Sequence, residues 1–406
     1  TAAGGAAGLA LMGLPSGKSH AVEKYPHWGE VVVIRDDSAT QGPNVNIKVV
    51  QAMLDEAIRA FTQGGGWPSL IPSYKTGETV GIKVNCGVPM VSTQWKVVAA
   101  VVRGLVGMGV PQNHIVVWDA EGESMKYSAI NWLTTVFNGL RITATDKLSD
   151  PFDRSKSMDI EGNPTCLSRL LTEAAHLINV PVLKNHFEAG ITFALKNHVG
   201  SGGESIKDRQ KIFHLPPEEG NRWHKMLGRG QPIASRIAVM NTAPDIKKKT
   251  RLIVGDALFG VYTRGPGGEP EFAHNGLIVG LDPVATDHQA RLIIENERKR
   301  NNLPVVPSLH IDQAIKLGLG ASLEERMMKF RDGNAPKRFS GPQTTRSFTE
   351  PLTAERASIS SMVFGPLWDR VTGDRKSWSW RYIFLIKGRP KMRRICTKTP
   401  LRNRGG

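Results

Sequence analysis

Cysteine is scarce in this chain: three among 406 residues, at Cys86, Cys166 and Cys396. They stand far apart and form no CxxC pair, which argues against a zinc ribbon, an iron-sulfur cluster or a disulfide framework built within the chain. From sequence, a Cys86–Cys166 bridge in an oxidising compartment and a pair of buried free thiols both stay open. Aromatic residues make up only 7%, and they do not alternate with basic residues on adjacent strands as a nucleic-acid stacking platform requires. Trp95, Trp118, Trp132 and Trp223 read instead as core or pocket wall. There is no HExxH or HxH pair for zinc, and no GxGxxG follows the first apolar strand, which weakens a dinucleotide site. No apolar run reaches the roughly 18 residues of a membrane-spanning helix.

Acidic residues are also short, 37 against 53 Lys and Arg, for a formal charge of +16. The excess is local. Residues 337–406 hold 16 Lys or Arg against 4 Asp or Glu, so the other 336 residues carry only about +4. A basic tail without a recognition motif is weak ground for a nucleic-acid partner. From about Gly333 the apolar periodicity also dissolves, and residues 333–406 read as a disordered tail. At the other end, TAAGGAAGLALMGLP resembles the hydrophobic region of a twin-arginine export signal, although no arginine pair precedes it. Ser19, His20 and Ala21 place small residues where a signal peptidase reads, predicting cleavage after Ala21 and a periplasmic or otherwise exported product with no transmembrane anchor.

With 40% hydrophobic residues, the chain can bury a large core. Apolar runs alternate with amphipathic ones from Glu30 onward. VVVI (31–34), a helix over Val45–Phe61, TVGIKVN (79–85), a helix over Gln94–Met108, HIVVWD (114–119) and a helix over Tyr127–Phe137 set a strand-helix rhythm. It resumes with strands at 176–183, RLIVGDAL (251–258) and GLIVGLD (276–282), and helices near Ile233–Met240, Val284–Glu297 and Ile311–Leu317. The pattern predicts one α/β domain over 30–330, a mostly parallel, Rossmann-like sheet flanked by helices, with an insert at about 200–230.

The chemistry concentrates in PVLKNHFEAGITFALKNHVGS (181–201), where Lys184-Asn185-His186 recurs twelve residues later as Lys196-Asn197-His198. The first triplet should sit at the carboxyl end of a buried strand, where open α/β sheets bind ligands. Lys83 and Asn85 flank Val84 at another strand end and should point to one side. Lys83 is then paired, recruited to an anion, or snorkelling to the surface. Gly190 and Thr192 should open the next helix, its amides facing an anionic group, with Lys196 and Asn197 one to two turns inside it. His198 reads as an ordinary helix-end histidine. Asp119, Glu121 and Glu123 could ligate a hard divalent cation or simply face solvent, and His186 with carboxylates such as Asp119 could hold a transition metal. Asp256 adds a carboxylate at a strand end. Asp282 before Pro283 suits a helix N-cap.

Four motifs in order, GIKVNCGVP (81–89), IVVWDAEGES (115–124), VPVLKNHFEAGITFALKNHVGS (180–201) and GLDPVATDHQARLI (280–293), make the chain resemble the domain of unknown function 362 family over residues 30–320. Many members carry a ferredoxin-like cluster domain, and this chain departs from them in its cysteines. The resemblance points to the site and leaves the reaction open. The reading that follows is an exported protein that binds an anionic small molecule, or a metal-anion cofactor, in a cleft of Lys83, Asn85, Asp119, Lys184, His186, Thr192, Lys196, Asn197 and Asp256. If it is catalytic, Lys184 or His186 would be base or nucleophile, and Lys83 or Lys196 would neutralise developing charge. The alternative is a non-catalytic periplasmic binding or maturation protein serving a metal or redox partner.

Overall fold

The computed structural model describes residues 29–203 and 231–322, all within the unit Thr1–Phe348. The export-signal segment, most of the 200–230 insert and the basic tail lie outside the described residues.

In chain order the first half comprises β1 (Val31–Arg35), the short β2 (Thr40–Gln41) and β3 (Asn44–Val45), α1 (Ile47–Phe61), α2 (Gly66–Leu70), β4 (Val80–Val84), α3 (Trp95–Gly107), β5 (Ile115–Asp119), α4 (Gly122–Tyr127) and β6 (Arg141–Ala144). There follow β7 (Phe152–Ile160), β8 (Asn163–Ser168), α5 (Arg169–Thr172), β9 (His176–Val180), β10 (Val182–His186), β11 (Gly190–Thr192), α6 (Ala194–Asn197) and β12 (Gly202–Gly203). After the insert come α7 (Gln231–Met240), α8 (Pro244–Lys249), β13 (Thr250–Val261), β14 (Phe272–Gly280), α9 (Pro283–Arg300) and α10 (Leu309–Lys316).

The main sheet has the order β1-β14-β13-β9-β4-β5-β6, with β10 pairing to β13 and β11 off this path. Strands β13, β9, β4, β5 and β6 are mutually parallel, and β14 runs antiparallel to both its neighbours. The expected mostly parallel α/β sheet is thus present. Its chain path moves outward from β4 to β5 and β6, then returns to place β9 on the other side of β4. That reversal creates a crevice at the carboxyl ends of β4 and β9, the position where such sheets bind ligands.

Strand alternation divides the core into layers. Leu252 and Val254 of β13, with Leu277 and Val279 of β14, pack on the face that α1 and α3 cover, whereas Ile253 and Ile278 pack with α7, α9 and α10 on the other. Helix α1 forms because Val50, Met53, Leu54, Ala57, Ile58 and Phe61 make one apolar stripe and Asn46 caps its first amides. On β4 the same alternation turns Val80, Ile82 and Val84 into the α1/α3 core. Lys83 therefore projects into the opposite layer.

Four expectations change. The predicted helix over Tyr127–Phe137 is divided: α4 ends at Tyr127, and Ser128, in an extended conformation, caps a separate 3-10 segment over Ala129–Thr135. The apolar run at 176–183 is two strands, because Pro181 separates β9 from β10 and the chain there leaves the sheet path. Gly190–Thr192 is a strand, β11, antiparallel to β10, instead of a helix start. The β13–β14 antiparallel pair and the β7–β8–β12 sheet were not expected.

Candidate functional site

Lys83 is 1% exposed, and its ammonium is held by three oxygens: Asp119 Oδ1 at 2.7 Å, the Val84 carbonyl at 2.7 Å and Asn197 Oδ1 at 3.4 Å. The Trp118 ring lies 5.4 Å from Nζ, within range of a cation–π contact. Asp119 also accepts the amides of Cys86 (2.5 Å) and Ala120 (2.7 Å). Burial pushes the Asp119 carboxyl upward, but the Lys83 charge, its hydrogen bond and the two amides outweigh it and hold the group below the usual carboxylate range. Gly200 packs directly over this ion pair: a Cβ there would stand 3.2 Å from Asp119 Oδ1 and 3.3 Å from Lys83 Nζ. The pair is thus a closed, neutral unit, and Lys83 is not a free cation awaiting a ligand.

A chain of amides leads away from it. Asn197 Oδ1 also accepts from Asn85 Nδ2 at 3.1 Å, so Lys83 and Asn85 do meet on one side, and they meet at Asn197. Asn197 Nδ2 donates to Asn179 Oδ1 at 2.7 Å, and Asn179 Nδ2 donates to the Ala194 carbonyl and to His198 Nε2. An amide NH₂ can only donate, so His198 Nε2 accepts and its proton sits on Nδ1, 3.1 Å from Ser201 Oγ. Burial, helped by the Lys83 charge, lowers His198 to about 3 and keeps it neutral. Sequence reasoning missed Asn179, Ser201 and the part His198 plays. The only local signal was a polar residue inside the apolar run HLINV.

The two triplets are not structural repeats. Lys184, Asn185 and His186 occupy β10, whereas Lys196 and Asn197 lie in the one-turn α6 and His198 follows it. Asn185 grips the loop after β13, accepting from the Gly265 amide at 2.7 Å and donating to the Thr263 carbonyl. His186 Nδ1 accepts the Glu188 and Ala189 amides at 3.1 and 3.2 Å, which puts the ring proton on Nε2 and suits the imidazole to donation. Leu195, in the first turn of α6, donates its amide to Asp287. Burial raises Asp287, which also faces His310 Nε2 at 3.2 Å. The anion expected at this helix start is therefore a carboxylate of the chain itself.

Lys184 differs from Lys83. It is 2% exposed, and its one hydrogen bond to a described residue reaches the Val91 carbonyl at 3.4 Å. Burial first, and the Lys196 charge second, bring its amine down to about 7, against weaker opposition from Asp119 and Cys86. It faces Thr192 across the β10–β11 pair. Asp256 is also buried and pushed up to about 6, chiefly by that burial. Its oxygens accept the Gln94 and Leu258 amides, which sets it beneath the start of α3. Among the described residues no group of three or more His, Cys, Asp or Glu is placed to hold a metal ion. Cys86 and Cys166 are buried free thiols, and no described helix is long and apolar enough to cross a membrane.

No curated protein matches the chain. Solved structures similar to it include two α/β proteins. One is a crystal structure of a protein from Thermotoga maritima, 12% identical with a TM-score of 0.39, covering 66% of this chain and 60% of that one. The other is the lactate racemase apoprotein from Thermoanaerobacterium thermosaccharolyticum, 12% identical with a TM-score of 0.37, covering 59% of this chain and 54% of that one. The chain thus spans less than two thirds of the length of either. Residues 80–291, which hold β4, β5 and β9 to β11 with every polar group of the crevice, match the model of the family described as Domain of unknown function (DUF362), and the chain belongs to that family.

Proposed function

We propose that this protein binds a small anionic organic molecule at the β4–β9 crevice and acts on it through the amine of Lys184. The observation that carries this reading is the contrast between two buried lysines. Lys83 has its carboxylate partner; among the described residues Lys184 has a single 3.4 Å hydrogen bond, and burial brings its amine down to about 7. An amine poised near neutrality can take a proton as a base or add to a carbonyl as a nucleophile. The Lys83–Asp119–Asn197 unit would serve as the fixed polar floor, and His186 as a hydrogen-bond donor through Nε2. With Asp119 already engaged by Lys83 and two amides, a metal-anion cofactor is the less favoured ligand. The small-residue segment before Ser19-His20-Ala21 supports an exported location.

Imine trapping tests the reading. The full chain is incubated with glyoxylate and sodium borohydride, then digested and mapped by mass spectrometry. Imine formation joins the amine nitrogen to the carbonyl carbon and releases water, and hydride reduction fixes the adduct. Preferential adduct at Lys184 above pH 7 supports the reading. Labelling only of exposed lysines would sink it. Once a substrate is found, Lys184→Ala separates the two classes: an enzyme loses turnover and keeps ligand, whereas a binding protein loses affinity.

A further inference from the structure

The hydroxyls of Thr192 and Ser308 are both buried and, among the described residues, both unpaired. Each residue is 4% exposed, and neither Oγ has a hydrogen-bond partner among the described residues. A buried polar group without a partner costs about 1–3 kcal/mol. Ser308 stands at the N-cap of α10, where serine ordinarily turns its hydroxyl onto the first helical amides. Here it makes no capping bond.

The Ser308 side chain lies instead against the β10–β11 hairpin. A Cβ at Gly190 would come within 2.4 Å of Ser308 Oγ and 2.5 Å of the Pro307 carbonyl oxygen, and Gly190 has φ +80°. Close approach and backbone conformation both call for glycine there. Thr192, two residues along the same strand, is the cross-strand partner of Lys184, so hydroxyl and amine rise from one face of the hairpin. His310 fastens α10 to the same turn through the Ala189 carbonyl at 3.1 Å.

We propose that the β10–β11 hairpin and the start of α10 frame a carboxylate subsite, with the Thr192 and Ser308 hydroxyls and the Lys184 amine as its donors. This rests on the Lys184 reading above and names its ligand class, a small monocarboxylate. Two hydroxyls and one ammonium match the two oxygens of a carboxylate, and the uncapped start of α10 adds favourable dipole charge. Lys184 is a buried lysine with no carboxylate partner among the described residues, so one negative charge balances it. A phosphate dianion would leave acceptors and charge uncompensated in so enclosed a setting. The bound anion would also favour the ammonium form against burial and Lys196, so binding above pH 7 would draw a proton onto Lys184.

The test is isothermal titration calorimetry of the full chain with acetate, propionate and butyrate, and separately with inorganic phosphate, on wild type, Thr192→Val, Thr192→Ser and Ser308→Ala. Wild type should bind the carboxylates in preference to phosphate. Affinity should fall about tenfold in Thr192→Val and in Ser308→Ala, the worth of one hydrogen bond to a charged group, and survive in Thr192→Ser, which keeps the hydroxyl. Absence of carboxylate binding by wild type, preference for phosphate, or unchanged affinity in both hydroxyl deletions would overturn the subsite. The pH profile of amine labelling at Lys184, taken on the same samples, separates the failures. A midpoint of about 7 without carboxylate binding sinks the subsite alone, whereas an ordinary lysine midpoint sinks the Lys184 reading with it.

Discussion

At the residue scale, two buried ammonium groups meet opposite fates. Removing Asp119 would leave Lys83 buried with no counter-charge, so Asp119→Ala should cost about 3–5 kcal/mol by urea denaturation. The double change Lys83→Met with Asp119→Leu should recover only part of that loss: no charge then remains to desolvate, but the Cys86 and Ala120 amides stay without their acceptor. Lys184 behaves differently, since its amine is lowered to about 7 in the fold and returns to the ordinary lysine value of about 10.4 on unfolding. Between those values the unfolded chain holds the extra proton. Stability from this group should therefore rise with pH above 7, by up to about 1.4 kcal/mol per unit, and be flat below it. Denaturation at pH 6 to 9 should find Lys184→Met more stable than wild type at pH 6 and lacking that share of the rise. Lys83 and Asn85 were legible in sequence because Lys-x-Asn at a strand end turns both side chains one way. Asn179 and His198 were not, because their roles depend on partners that only the fold brings near Asn197.

At the element scale, Asp282 holds more than a helix cap. Its carboxylate accepts the Ala285 amide at the start of α9, and also the Gly29 amide at 2.8 Å and the Ala321 amide at 2.7 Å. One side chain thus ties the chain before β1 and the chain after α10 to the same helix start. Asp282→Ala should cost several kcal/mol, since each orphaned buried amide carries about 1–3 kcal/mol, and hydrogen exchange should quicken around residues 29 and 321 as well as at 285. The cap itself was legible from Asp-Pro; its two distant amides were not. Strand and helix periods were readable for α1, α3, β4 and β5, where alternation or an apolar stripe is strong. They failed at Gly190–Thr192, because a glycine before a short apolar run is as compatible with a strand packed closely on another segment as with a helix start. The β13–β14 pairing escaped notice because ten residues, 262–271, separate the two strands, well beyond the two-residue loop that marks a hairpin most plainly.

At the scale of the whole molecule, chain order carries the argument. The sheet grows outward from β4 and then reverses to lay down β9, and each polar residue of the crevice comes from one of the strand ends or loops beside that reversal. Lys83 comes from β4, Asn85 from the loop that follows it, Asp119 from β5, Asn179 from β9 and Asn197 from α6. This arrangement follows from strand alternation together with a right-handed parallel topology, so the site is a product of the fold as much as of its residues. The basic charge of residues 337–406 lies outside the described residues. Deleting that tail should leave small-anion binding unchanged, with calorimetry as the check; a loss of binding would move the site out of the crevice.

The account depends most on the state of the Lys184 amine in the folded protein. Its pH-dependent acylation by acetic anhydride, followed residue by residue with mass spectrometry under native conditions, measures that state directly. The prediction is a midpoint of about 7 at Lys184, with exposed lysines titrating near 10 or above. A Lys184 midpoint indistinguishable from those lysines would contradict the account.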